Sequence, residues 1–342
     1  MKIGLVGYQG SGKSTLFGWL TGVPPDPAQA HTSQHAMATV HDPRVDQLCE
    51  IYSPKKVTEA AIELVDTPGL SRDQKGNAAR LAAIRDCNCL IVVLAAFGGD
   101  DPAKDLSSFQ EDLALADLEI ITNRIERLED SIKKPRPDRD DLIAEKEVLQ
   151  KLQSQIESGV SLRNFEISAD DEKRVRSFQL LSLKPLLAIV NTADDEAEPQ
   201  RFESIGGEDI KVLPVPIGLE AELARMEPDE AAAFREEMGV GSFDRDPLVI
   251  AIMEGSGQML FFTAGEKEVR TWMFFKDGTA VDAADSIHSD LARGFIRAEV
   301  MTIEDLVRLG SEREVKAAGL ARNEMKDYVV QDGDVLFIKS GV

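Results

Sequence analysis

Apolar residues in this chain gather into short runs separated by turn residues and by amphipathic stretches. Lys2-Ile3-Gly4-Leu5-Val6-Gly7 reads as a short buried strand that feeds a glycine-rich loop, with a helix beginning at Lys13. Further apolar runs at 60–66, 89–96, 185–190 and 210–217 predict buried parallel strands, each bounded by turn residues. Helical patterns separate several of these runs, so the expected fold class is α/β, built on an open sheet.

Between the runs at 89–96 and 185–190 the period changes. Leu118, Ile121, Ile125, Leu128 and Ile132 alternate steps of three and four, a seam with charges on its other faces. Lys133-Lys134-Pro135-Arg136-Pro137 interrupts it, and Leu142, Leu149, Leu152 and Ile156 mark a second helix. An antiparallel helical hairpin projecting from the sheet is expected. A third unit begins near Glu254, with strand signals at 269–275, a turn at Asp277-Gly278, a short helix around Ile287 to Leu291, and strands near 328–338 split by Asp332-Gly333. The expected boundaries are a discontinuous sheet domain over 1–107 and 166–250, a hairpin insertion over 108–165, and an α+β module over 255–342.

Composition narrows the class. The chain has 342 residues, 43% hydrophobic and 29% charged, ordinary for a globular protein with a real core. No run approaches the ~18 apolar residues of a membrane helix, and the first residues lack the regions of a signal peptide. Cys49, Cys87 and Cys89 are too few and too badly spaced for a disulfide framework. A cytoplasmic monomer without membrane contact is expected. The net charge of −22 repels phosphate backbones and argues against bare DNA. Residues 108–165 and 255–342 each carry only −4, which leaves them the less repulsive places for RNA.

The strongest motif is Gly7-Tyr8-Gln9-Gly10-Ser11-Gly12-Lys13-Ser14, which fits G-x-x-x-x-G-K-[ST] and is followed by Thr15. Glycines let backbone N–H groups turn toward phosphates, and the helix N-terminus adds positive potential. Gly10, Ser11, Gly12, Lys13, Ser14 and Thr15 are the expected phosphate contacts, with Lys13 on the terminal phosphates and Ser14 on Mg²⁺. Asp66-Thr67-Pro68-Gly69 closes the second strand, placing a carboxylate where it can hold Mg²⁺ through water and the Gly69 N–H where it can meet the γ-phosphate. Asn191-Thr192-Ala193-Asp194 stands where GTP-binding proteins carry N-K-x-D; the missing Lys weakens guanine selection. Gly218, after the strand at 210–217, is the expected last base-contacting position.

In this order, these pieces resemble the Obg-like ATPases, the YchF family of translation-factor-class P-loop NTPases. The resemblance runs nearly end to end, through 42–48, 111–118, Leu183-Lys184-Pro185, 262–270, 294–299, Lys326-Asp327-Tyr328 and 331–335. It implies a G-domain with a helical insertion and a C-terminal β-grasp (TGS) domain. It also implies slow, Mg²⁺-dependent ATP hydrolysis with GTP often accepted, and association with the ribosome. By the same likeness Lys13 and Gly69 are the catalytic contacts, Ser14, Asp66 and Thr32 or Thr39 the metal ligands, and Asn191 to Asp194 face the base.

The chain departs from the family pattern in four places. Gln9-Gly10-Ser11 replaces Pro-Asn-Val in the phosphate loop, which removes a side chain that could help hold a monovalent cation. The segment Ser71-Arg72-Asp73-Gln74-Lys75-Gly76-Asn77 is shorter than the family's second switch. The first switch, Pro24 to Thr39, lacks F-P-F-C-T, and Asp194 stands where Glu is commoner. Leu70 takes the place of the water-orienting Gln of Ras-like enzymes, and no in-chain arginine finger is evident, so turnover should be slow. The expected activity is a ribosome-associated nucleoside triphosphatase switch, ATP favoured. The alternative is a nucleotide-sensing binding module with vestigial hydrolysis, and a small-molecule kinase lacks an arginine-rich lid. His31, His35 and His41 are expected as solvated loop residues, Cys87 and Cys89 as core, and Trp272, Phe274 and Phe275 as strand residues with about half facing the core. Lys133, Lys134, Arg136 and Arg139 form the densest basic cluster and the candidate RNA contact.

Overall fold

The structure is a computed structural model that describes residues 1–341 apart from 27, 29–31, 74–75, 136 and 242, and apart from the side chain of 164. Contacts divide the chain into two units: Met1–Ala36 with Glu63–Phe243, and Met37–Ile62 with Asp244–Val342. In chain order the elements begin β1 (Lys2–Val6), α1 (Lys13–Thr21), β2 (Gln34–Thr39), α2 (Pro43–Tyr52), β3 (Val57–Thr58), β4 (Ala61–Asp66), α3 (Asn77–Ile84) and β5 (Cys89–Ala96). A long hairpin, α4 (Pro102–Ile132) and α5 (Arg139–Glu157), precedes α6 (Ala169–Val175), β6 (Leu186–Thr192), β7 (Val212–Val215), α7 (Ile217–Leu223) and α8 (Pro228–Met238). The remainder is α9 (Arg245–Gly255), β8 (Gln258–Thr263), β9 (Val269–Phe275), α10 (Ala280–Ile287), α11 (Ser289–Arg293), β10 (Phe295–Thr302), α12 (Ile303–Leu309), α13 (Glu312–Ala317), β11 (Arg322–Glu324) and β12 (Asp334–Ser340).

The sheet of the first unit has the order β2-β4-β1-β5-β6-β7, and β4, β1, β5, β6 and β7 pair in parallel. β5 and β6 are buried over almost their whole length, as strands covered on both faces must be. Leu5 pairs with Asp66 and Val6 with Val92, so the chain leaves β1, β4 and β5 at one edge. That is the carboxyl edge, where open parallel sheets place ligand-binding loops.

The predicted hairpin seam is present: Ile121, Ile125, Leu128, Leu149 and Leu152 are buried together, with Ile132, Leu142 and Ile156 packed beside them. The first helix starts well before the expected 108. Asp101 caps it by accepting from the Lys104 N–H, with Pro102 in its first turn. Its first turns bury Leu106, Phe109 and Leu113 in the core of the sheet. The helix that forms the hairpin is thus rooted in the first unit.

The second unit carries a six-stranded sheet of order β11-β10-β12-β8-β9-β3 over a core of Phe261, Phe274, Phe295, Val300 and Leu336. Residues 37–62 were expected in the sheet domain, yet their contacts group them with 244–342. The reason is polar as much as apolar. Arg44 donates to Asp42 and to Asp332 (2.6 Å) and lies 5.2 Å over the Phe262 ring, while β3 pairs with β9. Two local expectations also shift. The helix near Ile287 is two helices, broken by extended backbone at His288. Only one strand forms near 328–338, because Asp334 accepts from the Gln331 N–H and the Tyr328 hydroxyl and holds the preceding residues in a turn.

Asp117 anchors the hairpin to the sheet. It is fully buried, accepts from the Leu181 and Ser182 N–H groups at 3.0 and 2.7 Å, and pairs with Arg85 at 2.8 Å. Replacing it leaves two buried N–H donors unpaired and removes the only carboxylate bonded to Arg85 among the described residues. Asp117→Ala is expected to cost about 3–5 kcal/mol in urea unfolding; a loss below about 1 kcal/mol, the value of an exposed ion pair, would contradict this assignment.

Candidate functional site

The loop after β1 owes its shape to glycine at two close approaches. Gly7 has φ +133°, and a Cβ there would lie 2.5 Å from the Val93 carbonyl of β5. Gly12 has φ +102°, and a Cβ would meet the Asn191 side-chain nitrogen at 2.4 Å. Between them the backbone curls around Gly10, at φ +82°. The loop ends at the N-terminus of α1, which has no side-chain cap and no acidic residue in its first turn. Uncapped N–H groups and the helix dipole together favour an anion there.

Lys13, Ser14, Asp66 and Gly69 converge on this loop. Lys13 is 6% exposed and donates to the Tyr8 carbonyl at 2.6 Å; burial lowers its ammonium to about 8, only partly offset by Asp66. Ser14 Oγ donates to Asp66 Oδ2 at 2.6 Å. The other oxygen, Asp66 Oδ1, is buried with no partner, and burial pushes this carboxyl above its usual range. A buried, unpaired carboxylate oxygen beside a serine hydroxyl is a hard-oxygen donor set, and it fits Mg²⁺. A Cβ on Gly69 would lie 2.8 Å from Lys13 Nζ and 3.0 Å from the Gln9 backbone, so this approach too requires glycine. Backbone bonds zip the two loops: Leu70 N–H to Gly7 at 2.9 Å and Gln9 N–H to Leu70 at 3.0 Å. The cavity they frame measures about 420 Å³, and Gly10, Thr32 and Arg80 also line it. Thr32, not Thr39, is the first-switch threonine on this wall.

The base-side residues divide in two. Asn191 does not line the phosphate-loop cavity: its amide donates to the Ser11 carbonyl at 3.1 Å and its oxygen accepts from the Ile217 N–H at 3.2 Å. It bolts the phosphate loop to the loop that opens α7. Thr192, Ala193 and Asp194 line a separate cavity of about 780 Å³ with Pro216, Leu219 and Phe243. Gly218 sits behind it, where a Cβ would be 3.5 Å from an Asp194 carboxylate oxygen. Ser11 is buried, whereas Thr15 is exposed and lines neither cavity.

Other sequence candidates fall elsewhere. His31, Gln74, Lys75 and Arg136 lie outside the described residues. His35 pairs with Glu63 at 2.9 Å, and His41 pairs with Glu59 at 2.6 Å in the second unit. Burial drives the Cys87 and Cys89 thiols up to about 11 and about 12, and no group of three His, Cys, Asp or Glu residues suited to a metal occurs among the described residues. Phe274 is buried, Phe275 is 59% exposed, and Trp272 stacks on Phe261 beneath Arg270. Sequence reasoning missed Tyr8, Arg72 and Arg80. The Tyr8 hydroxyl donates to Asp112 of α4 at 3.1 Å, and Arg72 lies over the Tyr8 ring while gripping Asp105 of α4 through two bonds of 2.7 and 2.8 Å. Their partners are 33 and 104 residues away, so no local pattern could announce them.

Known proteins resemble this chain along its whole length. Residues 2–129 match a family described as 50S ribosome-binding GTPase, and 259–340 match the YchF-GTPase C-terminal family, described as a protein of unknown function. The chain is 35% identical to the ribosome-binding ATPase YchF of Bacillus subtilis, with both chains covered completely. It is 36% identical to Obg-like ATPase 1 of Oryza sativa subsp. japonica, covering all of this chain and 92% of that protein. The Schizosaccharomyces pombe YchF GTPase structure superposes with a TM-score of 0.81 at 24% identity, over 99% of this chain and 97% of that one.

The collision at Gly12 supplies a test of the loop. Gly12→Ala forces a left-handed alanine against Asn191, strain of about 1–3 kcal/mol. ATP affinity by calorimetry should fall roughly tenfold or more, and the melting temperature should drop by a few degrees. Unchanged affinity would contradict the loop geometry.

Proposed function

The chain belongs to the YchF family of Obg-like ATPases, and from that premise we propose that it is a ribosome-associated P-loop nucleoside triphosphatase whose nucleotide state is read by helix α4. The observation that carries this reading is the convergence of Lys13, Ser14, Asp66 and Gly69 on one cavity at the end of β1. The N–H groups of 10–15 and the N-terminus of α1 would hold the phosphates, and Lys13 would exchange the Tyr8 carbonyl for a terminal phosphate oxygen. Ser14, Asp66 and Thr32 would hold Mg²⁺, which when bound neutralises charge shared by the outer two phosphates. Asp194 would accept a hydrogen bond from an exocyclic amine of the base. With no lysine at Thr192 or Ala193 to stack on the purine, ATP is favoured over GTP. Water then attacks the terminal phosphorus in line.

Coupling to the hairpin follows from the links just described. Tyr8 belongs to the phosphate loop and Arg72 to the segment after Gly69, and both hold α4 at its rooted end. A change at Gly69 on loss of the terminal phosphate would reach α4 through Arg72 and Asp105. At the far tip, Lys133 and Lys134 are exposed and Arg139 is near them, a basic cluster on an otherwise acidic chain. That cluster is the surface best suited to ribosomal RNA, and a ribosome partner is consistent with a cytoplasmic location. Leu70, only 2% exposed, supports a second reading in which nucleotide is sensed and barely hydrolysed, since it cannot orient water.

Phosphate release followed over hours, with and without ribosomes, separates the two readings. Wild type with Mg²⁺ should turn over, and Lys13→Ala or chelation of the metal should lower the rate about a hundredfold or more. Release no faster from wild type than from Lys13→Ala would leave only the sensing module. Arg72→Ala should keep ATP affinity within about threefold, because Arg72 does not line the cavity. It should also abolish any difference in ribosome co-sedimentation between ADP and a non-hydrolysable ATP analogue. A retained difference would remove Arg72 from the coupling.

A further inference from the structure

The side chain at the usual water-orienting position is withdrawn from the site. Leu70 belongs to the core cluster with Tyr8, Leu81 and Leu106, is 2% exposed, and does not line the cavity. Negative charge that builds on a transferring phosphoryl group must therefore be met by other donors. Among the described residues lining the cavity, two are cations. Lys13 comes from the phosphate loop, and Arg80 comes from α3.

Arg80 is mounted on the segment that follows Gly69. Asn77, 6% exposed at the start of α3, accepts from the Ser71 N–H at 2.8 Å and donates to the Ser71 carbonyl at 2.9 Å. The same Asn77 oxygen accepts from Arg80 Nη1 at 3.2 Å, one helical turn further on. The guanidinium is thus tied, through one buried side chain, to the segment that carries the Gly69 N–H. The direction of the site is also fixed. Thr192 to Asp194 line the base-side cavity, whereas Arg80 shares its wall with Lys13 and Gly69, at the end suited to the terminal phosphate. Among the described residues, Asp26 and Asp66 are the carboxylates on that wall.

We propose that Arg80 is an arginine finger supplied by the chain itself, touching the terminal phosphate as it transfers. The inference rests on the hydrolase reading above and adds the group that the sequence pattern lacks. Water forms a bond to the terminal phosphorus as the bond from phosphorus to the bridging oxygen breaks. The electron pair leaves with the diphosphate, and the proton of the attacking water is released with inorganic phosphate. Arg80 donates hydrogen bonds to the oxygens on which charge accumulates and exchanges no proton.

The test compares wild type with Arg80→Ala, Arg80→Gln and Arg80→Lys, without ribosomes. The readouts are ATP turnover, and affinity for ADP alone and for ADP with aluminium fluoride, a mimic of the transferring phosphoryl group. Arg80→Gln keeps a partner for Asn77 and serves if the alanine variant does not fold. The expected result is a fall in kcat of roughly a hundredfold or more in Arg80→Ala and Arg80→Gln, with partial retention in Arg80→Lys. ADP affinity should stay within about twofold, while the gain in affinity from aluminium fluoride is lost. A kcat within about twofold of wild type, or parallel losses of ADP and ADP–aluminium fluoride binding, would overturn the proposal. A wild type that neither turns over nor gains affinity from aluminium fluoride would instead sink the hydrolase reading, and Arg80's role with it.

Discussion

The phosphate loop is held by backbone on two sides, and the rest of the site depends on that. On one side Gly7 and Gln9 exchange hydrogen bonds with Leu70, so the segment bearing Gly69 cannot drift from the loop. On the other, Asn191 spends both ends of its amide on the Ser11 carbonyl and the Ile217 N–H. These backbone ties leave the uncapped start of α1 directed at the cavity, with Lys13 resting on the Tyr8 carbonyl and Ser14 on Asp66. Glycine at 7, 12 and 69 is the condition for these contacts, since a Cβ at each would meet neighbouring atoms at 2.5, 2.4 and 2.8 Å.

Two further connections leave this centre by different chemistry. Tyr8 and Arg72 bind α4 through Asp112 and Asp105, so the root of the hairpin lies against the phosphate loop. The other connection is the chain itself. It leaves the first unit after Ala36 and re-enters at Glu63, and the intervening residues belong to the second unit. Arg44 holds that excursion through Asp42, Asp332 and the Phe262 ring.

Much of this was readable from pattern. The buried strands, the hairpin seam at Ile121, Ile125 and Leu128, and the phosphate loop follow from local period and spacing, and local signals survive folding. Asp66 was legible because a strand ending in D-x-x-G delivers it to the sheet edge. What stayed hidden depends on long-range pairing. Nothing near Arg44 signals that its partner is Asp332, and nothing near Asn191 reveals that its amide is consumed by the loop rather than offered to a base. Arg80 was invisible for a different reason, since its contacts with Asn77 are local but match no known motif. Asn77, which also pairs with Ser71 in the segment after Leu70, is one of the contacts that hold it on the cavity wall.

The central claim is that the pocket formed by Lys13, Ser14 and Asp66 grips a triphosphate together with a divalent ion. Isothermal titration of the folded chain with ATP and with GTP, at fixed Mg²⁺ and again in chelator, measures this directly. Saturable heat for at least one nucleotide, weakened when the metal is removed and absent in Lys13→Ala, is the predicted result. No heat for either nucleotide from folded protein, or binding indifferent to both Lys13 and the metal, would contradict it.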